Sequence, residues 1–195
     1  MRSEMNSLIK TEKSSLNVYD FDESGLIQKC VEEVSDKLLI NPPINLYGKK
    51  CIQHRSIGFF SNESIGYKYS NQLAKSQKLT NNLEKLLNKI NEKFSVDFNG
   101  ILVNRYKNGM DYISSHSDDE KGLTKAGVVA ISYGSVRKFR IRNKKTNKIN
   151  MDLPTEHNKI IQMEGDFQKE FKHEIPIEKK IKDARYSFTF RKHLI

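Results

Sequence analysis

The sequence predicts a mainly β fold with flanking helices, an α+β protein of the sandwich or jelly-roll kind, and three observations lead there. From residue 100 onward, short runs rich in Val, Ile, Phe and Tyr alternate with polar turns. Little helical periodicity separates those runs, whereas a parallel sheet would need a crossover between successive strands. Upstream, apolar residues recur at helical spacing instead.

Taken in chain order, residues 1–20 are polar and lack a sustained apolar period, so they read as a flexible tail. Leu26, Cys30, Val31, Val34 and Leu38 then mark an amphipathic helix that Asn41-Pro42-Pro43 ends. Leu79, Leu83, Leu86, Leu87, Ile90 and Phe94 mark a second, and both stripes read as core faces. Strands are expected near 100–106, 110–116, 126–133, 136–142, 148–153, 159–163, 169–174 and 184–191. At 195 residues and 36% hydrophobic, the chain holds one domain, residues 21–195, with room for a real core.

The balance of 34 Lys+Arg against 24 Asp+Glu leaves a net charge of +10. Such a field attracts phosphate polymers and is hard to reconcile with neutral small-molecule chemistry alone. Cys30 and Cys51 are too few and too far apart for a disulfide framework or a cysteine zinc site. The first residues lack the apolar run of a signal peptide, and no long apolar segment follows. The expectation is a soluble intracellular monomer without membrane contact, nucleus or cytoplasm left open.

His116-Ser117-Asp118 ends a strand-like run, where residues two apart share a face and can reach one metal ion. His173, in a second strand-like segment, can close a triad across a β scaffold. Two imidazoles and one carboxylate leave coordination positions open, which suits non-haem Fe(II), although zinc accepts the same three groups. The last strand decides between them. Period two puts Arg185, Ser187, Thr189 and Arg191 on one face and Tyr186, Phe188 and Phe190 on the other. Two guanidinium groups inside a small barrel call for an anion, and a dicarboxylate co-substrate supplies it. Asn104 and Tyr106 project together from an earlier strand and can hydrogen-bond a second carboxylate.

Asn104-Arg105-Tyr106 with Gly109, then Asp111, His116-Ser117-Asp118-Asp119-Glu120, Ala130-Ile131-Ser132-Tyr133-Gly134, His173 and residues 185–191 together resemble the AlkB family of nucleic-acid dealkylases. The closer likeness is to the eukaryotic DNA-repair homologues. The resemblance implies a double-stranded β-helix, with core about 99–195 and an N-terminal nucleotide-recognition lid about 44–75. It implies Fe(II) held by His116, Asp118 and His173, with 2-oxoglutarate and O2 as co-substrates. Asn104 and Tyr106 would hold the keto-acid end, Arg185 and Ser187 the far carboxylate, and Arg191 would contact the co-substrate from the same face. The implied reaction is oxidative dealkylation of 1-methyladenine- or 3-methylcytosine-type lesions in nucleic acid, DNA ahead of RNA, coupled to decarboxylation of 2-oxoglutarate to succinate.

Weaker likeness upstream implies substrate contacts from Tyr47, Arg55, Tyr67 and Tyr69. Tyr69 would stack on a flipped base opposite His116, and Tyr47 would be a wedge in the duplex. Asp119 and Glu120 would face the exocyclic nitrogen of the lesion. Ser187 stands where many relatives have Asn, and Asn158-Lys159 replaces a Gly-Ser turn, though Asn tolerates positive φ. Lys138, Arg140 and Arg142 share a strand face that could meet phosphates. The alternatives are a protein or small-molecule hydroxylase on the same scaffold and a non-catalytic nucleic-acid-binding module.

Overall fold

The computed structural model describes residues 5–46, 48–69, 72–118 and 126–193. In chain order, strands β1 (Met5–Lys10) and β2 (Ser14–Asp20) precede helix α1 (Ser24–Val34). Strands β3 (Pro43–Leu46), β4 (Lys49–Ile52), β5 (Ser56–Phe60), β6 (Gly66–Tyr69) and β7 (Gln72–Gln77) lead to helix α2 (Asn81–Phe94). The β region follows as β8 (Gly100–Tyr106), β9 (Ile113–His116), β10 (Val128–Gly134), β11 (Lys138–Asn143), β12 (Ile149–Pro154) and β13 (Lys159–Gly165). The short helix α3 (Phe167–Glu170) then precedes β14 (Phe171–Ile175) and β15 (Arg185–Arg191).

A nine-stranded sheet runs β1-β2-β13-β10-β15-β8-β5-β7-β6, and a four-stranded sheet runs β12-β11-β14-β9. Strands close in sequence thus fall in different sheets, the jelly-roll arrangement that the turn-separated β runs predict. Strands β3 and β4 form a separate two-stranded ribbon.

Period two sorts the large sheet into two cores. Ile101, Val103, Val129, Ile131, Tyr186, Phe188 and Phe190 join one buried cluster with Ile27, Cys30 and Val34 of α1 and Leu83, Leu86, Leu87 and Ile90 of α2. Their alternates face the small sheet, where Tyr106, Val128, Ile161 and Met163 pack with Phe139, Ile141, Phe171 and Ile175. The helices therefore cover one face of the large sheet and leave the other to the site. Thr80 caps α2, its side chain accepting from the Leu83 N–H at 3.3 Å. Helix α1 ends at Val34, so Leu38 is buried beyond it, where Leu39 bridges to Ile57.

Residues 5–20 are a hairpin, which corrects the expected tail. Strand β2 pairs antiparallel with β13 from Ser14↔Gly165 to Asp20↔Lys159. Leu16 is fully buried, and Ile9 and Val18 pack in the same core. Single apolar residues among Ser, Asn and Lys carry almost no local signal, and the partner strand lies far away in sequence. The Thr11 and Ser14 hydroxyls both donate to Glu170, pinning the hairpin turn to α3.

Asn158 adopts φ 55°, the left-handed backbone that its side chain tolerates before β13. Among the described residues, no helix is long and apolar enough to cross a membrane.

Candidate active site

Strands β8, β15 and β10 lie side by side, and their registered rows build one wall of a cavity between the sheets. Tyr106 pairs with Arg185, Asn104 with Ser187, and Leu102 with Thr189. Across the next ladder Ser187 pairs with Ser132 and Thr189 with Ala130. Alternation turns Leu102, Asn104, Tyr106, Arg185, Ser187, Thr189 and Arg191 to the cavity.

The opposite wall is the small sheet, where His116, the last residue of β9, pairs in register with His173 of β14. Their rings meet edge to face at 4.4 Å. Asp118 leaves the strand two residues later and turns back, one carboxylate oxygen 3.8 Å from His116 Nε2 and the other 3.6 Å from His173 Nε2. The three ligand atoms lie within 4.8 Å of one another. His116 Nδ1 meets the Ser114 carbonyl at 2.8 Å, so Nε2 is the nitrogen left with a lone pair toward Asp118. His173 is set differently. Phe139 stacks on its ring at 5.1 Å, and its buried Nδ1 has no hydrogen-bond partner among the described residues.

Burial would raise the Asp118 carboxyl, but Arg191 first, then His173 and His116, more than offset this and hold it at about 2. Arg191 Nη2 lies 3.3 Å from the Asp118 carboxylate. Burial, then His116, lowers His173 to about 3, so its imidazole is neutral at physiological pH. Burial lowers His116 as well. One anionic and two neutral donors thus face the cavity, the charge state a divalent cation needs.

Arg185 is 3% exposed, and burial lowers its guanidinium to about 10. Its Nη2 donates to Ser132 Oγ at 2.8 Å and its Nε to Thr155 Oγ1 at 3.1 Å. Its Nη1 is buried without a hydrogen-bond partner among the described residues. Such a group fits an incoming carboxylate, because an unpaired buried donor costs on the order of 1–3 kcal/mol. Asn104 Oδ1 accepts from Arg55 Nε at 2.8 Å.

One cavity thus gathers Asn104, Tyr106, His116, Asp118, His173, Arg185, Ser187 and Arg191, with Arg55 in its lining. Arg55 is only 6% exposed and bonded to Asn104, so it sits inside the cavity wall. Tyr67 and Tyr69 belong to β6, which pairs with β7 on the far edge of the large sheet; their side chains lie outside the described residues. Tyr47, Asp119 and Glu120 also lie outside them.

Several residues of the site escaped the sequence reading. Gln168 Oε1 accepts from the Asp118 N–H at 2.9 Å and so holds the turn after β9. Arg137, 1% exposed, pairs with Glu178 at 3.0 Å and donates to the Asn108, Asp111 and Pro176 carbonyls, clamping the β8–β9 and β14–β15 loops at one end of the barrel. Gly109 fits there because a Cβ would lie 1.9 Å from the Glu178 carbonyl oxygen. Gln168, within the four-residue α3, and Arg137, just before β11, are lone polar residues that offer no periodic signal by which to single them out. The two arginines of the basic stripe are neutralised internally. Arg140 binds Asp152 through two bonds of 2.7 and 2.8 Å, and Arg142 meets Glu174 at 3.0 Å.

The sequence profile of the 2OG-Fe(II) oxygenase superfamily matches residues 21–191. The chain is 34% identical over 118 residues to human alpha-ketoglutarate-dependent dioxygenase alkB homolog 3, covering 56% of this chain and 41% of that protein. It is 27% identical over 160 residues to human DNA oxidative demethylase ALKBH2, covering 78% of this chain and 61% of that protein. It therefore spans roughly half the length of these relatives. The solved structure of OsALKBH1 superposes with a TM-score of 0.61 at 13% identity, covering 96% of this chain and 100% of the other, which shows a common fold. With the profile spanning nearly the whole chain, and with AlkB homologues among the proteins it is similar to, this protein belongs to the 2OG-Fe(II) oxygenase superfamily, a family that works with Fe(II), 2-oxoglutarate and O2.

Proposed function

We propose that the protein removes alkyl groups oxidatively from nucleic-acid bases, DNA ahead of RNA, while 2-oxoglutarate is decarboxylated to succinate. The observation that carries this reading is the facing of two constellations across one cavity: His116, Asp118 and His173 on the small sheet, and the buried Arg185, its Nη1 without a hydrogen-bond partner among the described residues, on the large one. In this reading His116 and His173 hold Fe(II) through Nε2 and Asp118 holds it through its carboxylate. Bound Fe(II), with 2-oxoglutarate and O2, supplies the insertion of one oxygen atom into the N-alkyl C–H bond.

The chain's own groups do the rest. Arg185 Nη1 takes the far carboxylate of 2-oxoglutarate, flanked by Ser187 and by Tyr106, whose register opposite Arg185 puts it at that end rather than at the keto-acid end, and Asn104 serves the keto-acid end. Arg191 keeps Asp118 ionised and lies beside the co-substrate. Once hydroxylated, the alkyl carbon leaves the ring nitrogen as an aldehyde, and the base is restored.

Nucleic acid as substrate is supported by the net charge of +10 and by likeness to a relative named as a DNA oxidative demethylase. Residues 44–75, comprising most of β3 to β7, act as the recognition lid, with Tyr67 and Tyr69 from β6 against an extruded base, Tyr47 at the duplex, and Asp119 and Glu120 at the lesion's exocyclic nitrogen. A lesion that blocks the pairing edge lowers the cost of extrusion, so damage itself aids discrimination.

The test is mass spectrometry of single- and double-stranded DNA and RNA oligomers carrying 1-methyladenine or 3-methylcytosine, incubated with protein, Fe(II), ascorbate and 2-oxoglutarate. Loss of a methyl mass that requires 2-oxoglutarate and vanishes in Asp118→Ala is the expected result. Succinate formation with every oligomer intact would move the substrate to a protein or small molecule.

A further inference from the structure

Arg185 is the cation on which the co-substrate reading rests, and its geometry depends on a residue outside the cavity lining. Thr155 follows β12, on the edge of the small sheet, whereas Arg185 opens β15 in the large one. The 3.1 Å bond from Arg185 Nε to Thr155 Oγ1 therefore ties the two sheets together beside the cavity.

Thr155 itself is held from both sides. Its hydroxyl oxygen accepts from the Arg137 backbone N–H at 3.0 Å, and its own N–H donates to the Arg137 carbonyl at 2.9 Å. A hydroxyl oxygen has two acceptor positions. One is fixed by the backbone, so the other has a fixed direction, and Arg185 Nε occupies it. Arg137 is in turn immobilised by its bonds to Glu178 and to three loop carbonyls. With Nε held by Thr155 and Nη2 by Ser132, the guanidinium cannot rotate in its plane, and Nη1 is left in one position.

We propose that Thr155 is a positioning residue for the co-substrate: by locking Arg185 across the two sheets, it fixes the distance between the far-carboxylate anchor and the His116–Asp118–His173 cluster and so selects a five-carbon 2-oxo diacid. This rests on the co-substrate reading above. Because the anchor belongs to one sheet and the cluster to the other, a bond joining the sheets sets the length the ligand must span. Ser187 is too short to take over, and Ser132 at Nη2 with Tyr106 beside the guanidinium leaves Nε without the acceptor that Thr155 supplies.

Calorimetric titration of the Mn(II)-loaded protein with 2-oxoglutarate, and with the one-carbon-longer 2-oxoadipate, tests this without turnover. Thr155→Val, which keeps shape and removes the hydroxyl, is expected to weaken 2-oxoglutarate about tenfold, the loss of one hydrogen bond to a charged group. It should also narrow the preference over 2-oxoadipate. Mn(II) affinity should be unchanged, turnover at saturating 2-oxoglutarate should stay within about twofold, and Thr155→Ser should restore tight binding. If Thr155→Val does not fold, Ser132→Ala, which frees the other end of the guanidinium, must raise the 2-oxoglutarate dissociation constant and relax the chain-length preference in the same way. Wild-type affinity and preference in the variant that folds would overturn the proposal. A wild-type protein that binds Mn(II) and no 2-oxoglutarate would instead overturn the co-substrate reading, and this proposal with it.

Discussion

Arg55 and Asn104 are joined inside the cavity wall by a 2.8 Å bond from Nε to Oδ1, so a residue entering β5 orients an amide on β8. Arg55→Ala removes a charged donor from a buried acceptor, a loss of about 1.5–3 kcal/mol in stability. The 2-oxoglutarate dissociation constant of the Mn(II)-loaded protein should rise several-fold as Asn104 loses its orientation. Calorimetry and urea unfolding check both; an Arg55→Ala protein that loses only oligonucleotide affinity would assign Arg55 to the substrate instead.

Gln168 acts on Asp118 through the backbone, holding the N–H of the carboxylate-bearing residue from a buried position. Gln168→Leu should lower metal affinity or turnover by about 10–100-fold, the usual effect of losing an outer partner of a metal ligand. Competition with a chromophoric chelator measures it. Unchanged affinity would mean that the chain alone fixes the turn after β9.

Stability should fall as the pH drops below neutrality. His193 lies against Phe59 and near Arg191 and Asp118, and burial, reinforced by Arg191, lowers it to about 4 from the ordinary 6.5. Between those values the unfolded chain binds the proton and the folded chain does not, so stability rises with pH across the window and is fully present above 6.5. Urea midpoints of metal-free protein at about pH 7.5 and about pH 5 should differ, and His193→Asn should reduce that difference without abolishing it, since His116 and His173 shift the same way. A midpoint independent of pH would contradict the buried neutral state.

Leu16→Ala should cost about 2–5 kcal/mol, the range for a fully buried leucine. A detached tail would give a change within about 0.5 kcal/mol. Chemical denaturation distinguishes them.

The central strands β8, β10 and β15 were legible because they carry enough β-branched and aromatic residues to be recognised without reference to a partner. Residues 185–191 are the clearest case: the alternation alone separated Tyr186, Phe188 and Phe190 from the polar face that lines the cavity. What stayed hidden depends on partners distant in sequence. Leu16 looks isolated until Met163 lies opposite it, and Arg140 looks like a free cation until Asp152 does. Arg137, Thr155 and Gln168 act through hydrogen bonds to partners distant in sequence, which leave no periodicity behind.

The pairing of β2 with β13 also sets an order of events during synthesis. Ser15 and Glu164 are 149 positions apart yet joined Oγ to Oε2 at 3.0 Å. At about 5–20 residues per second, on the order of ten seconds pass between the emergence of the hairpin and that of its partner strand. Through that interval the hairpin has no sheet to join, and an apolar strand left waiting would recruit other chains. Its Ser, Asn and Lys residues make the wait harmless, so the polarity that disguises the segment as a tail is what lets a nascent chain carry it safely until β13 arrives.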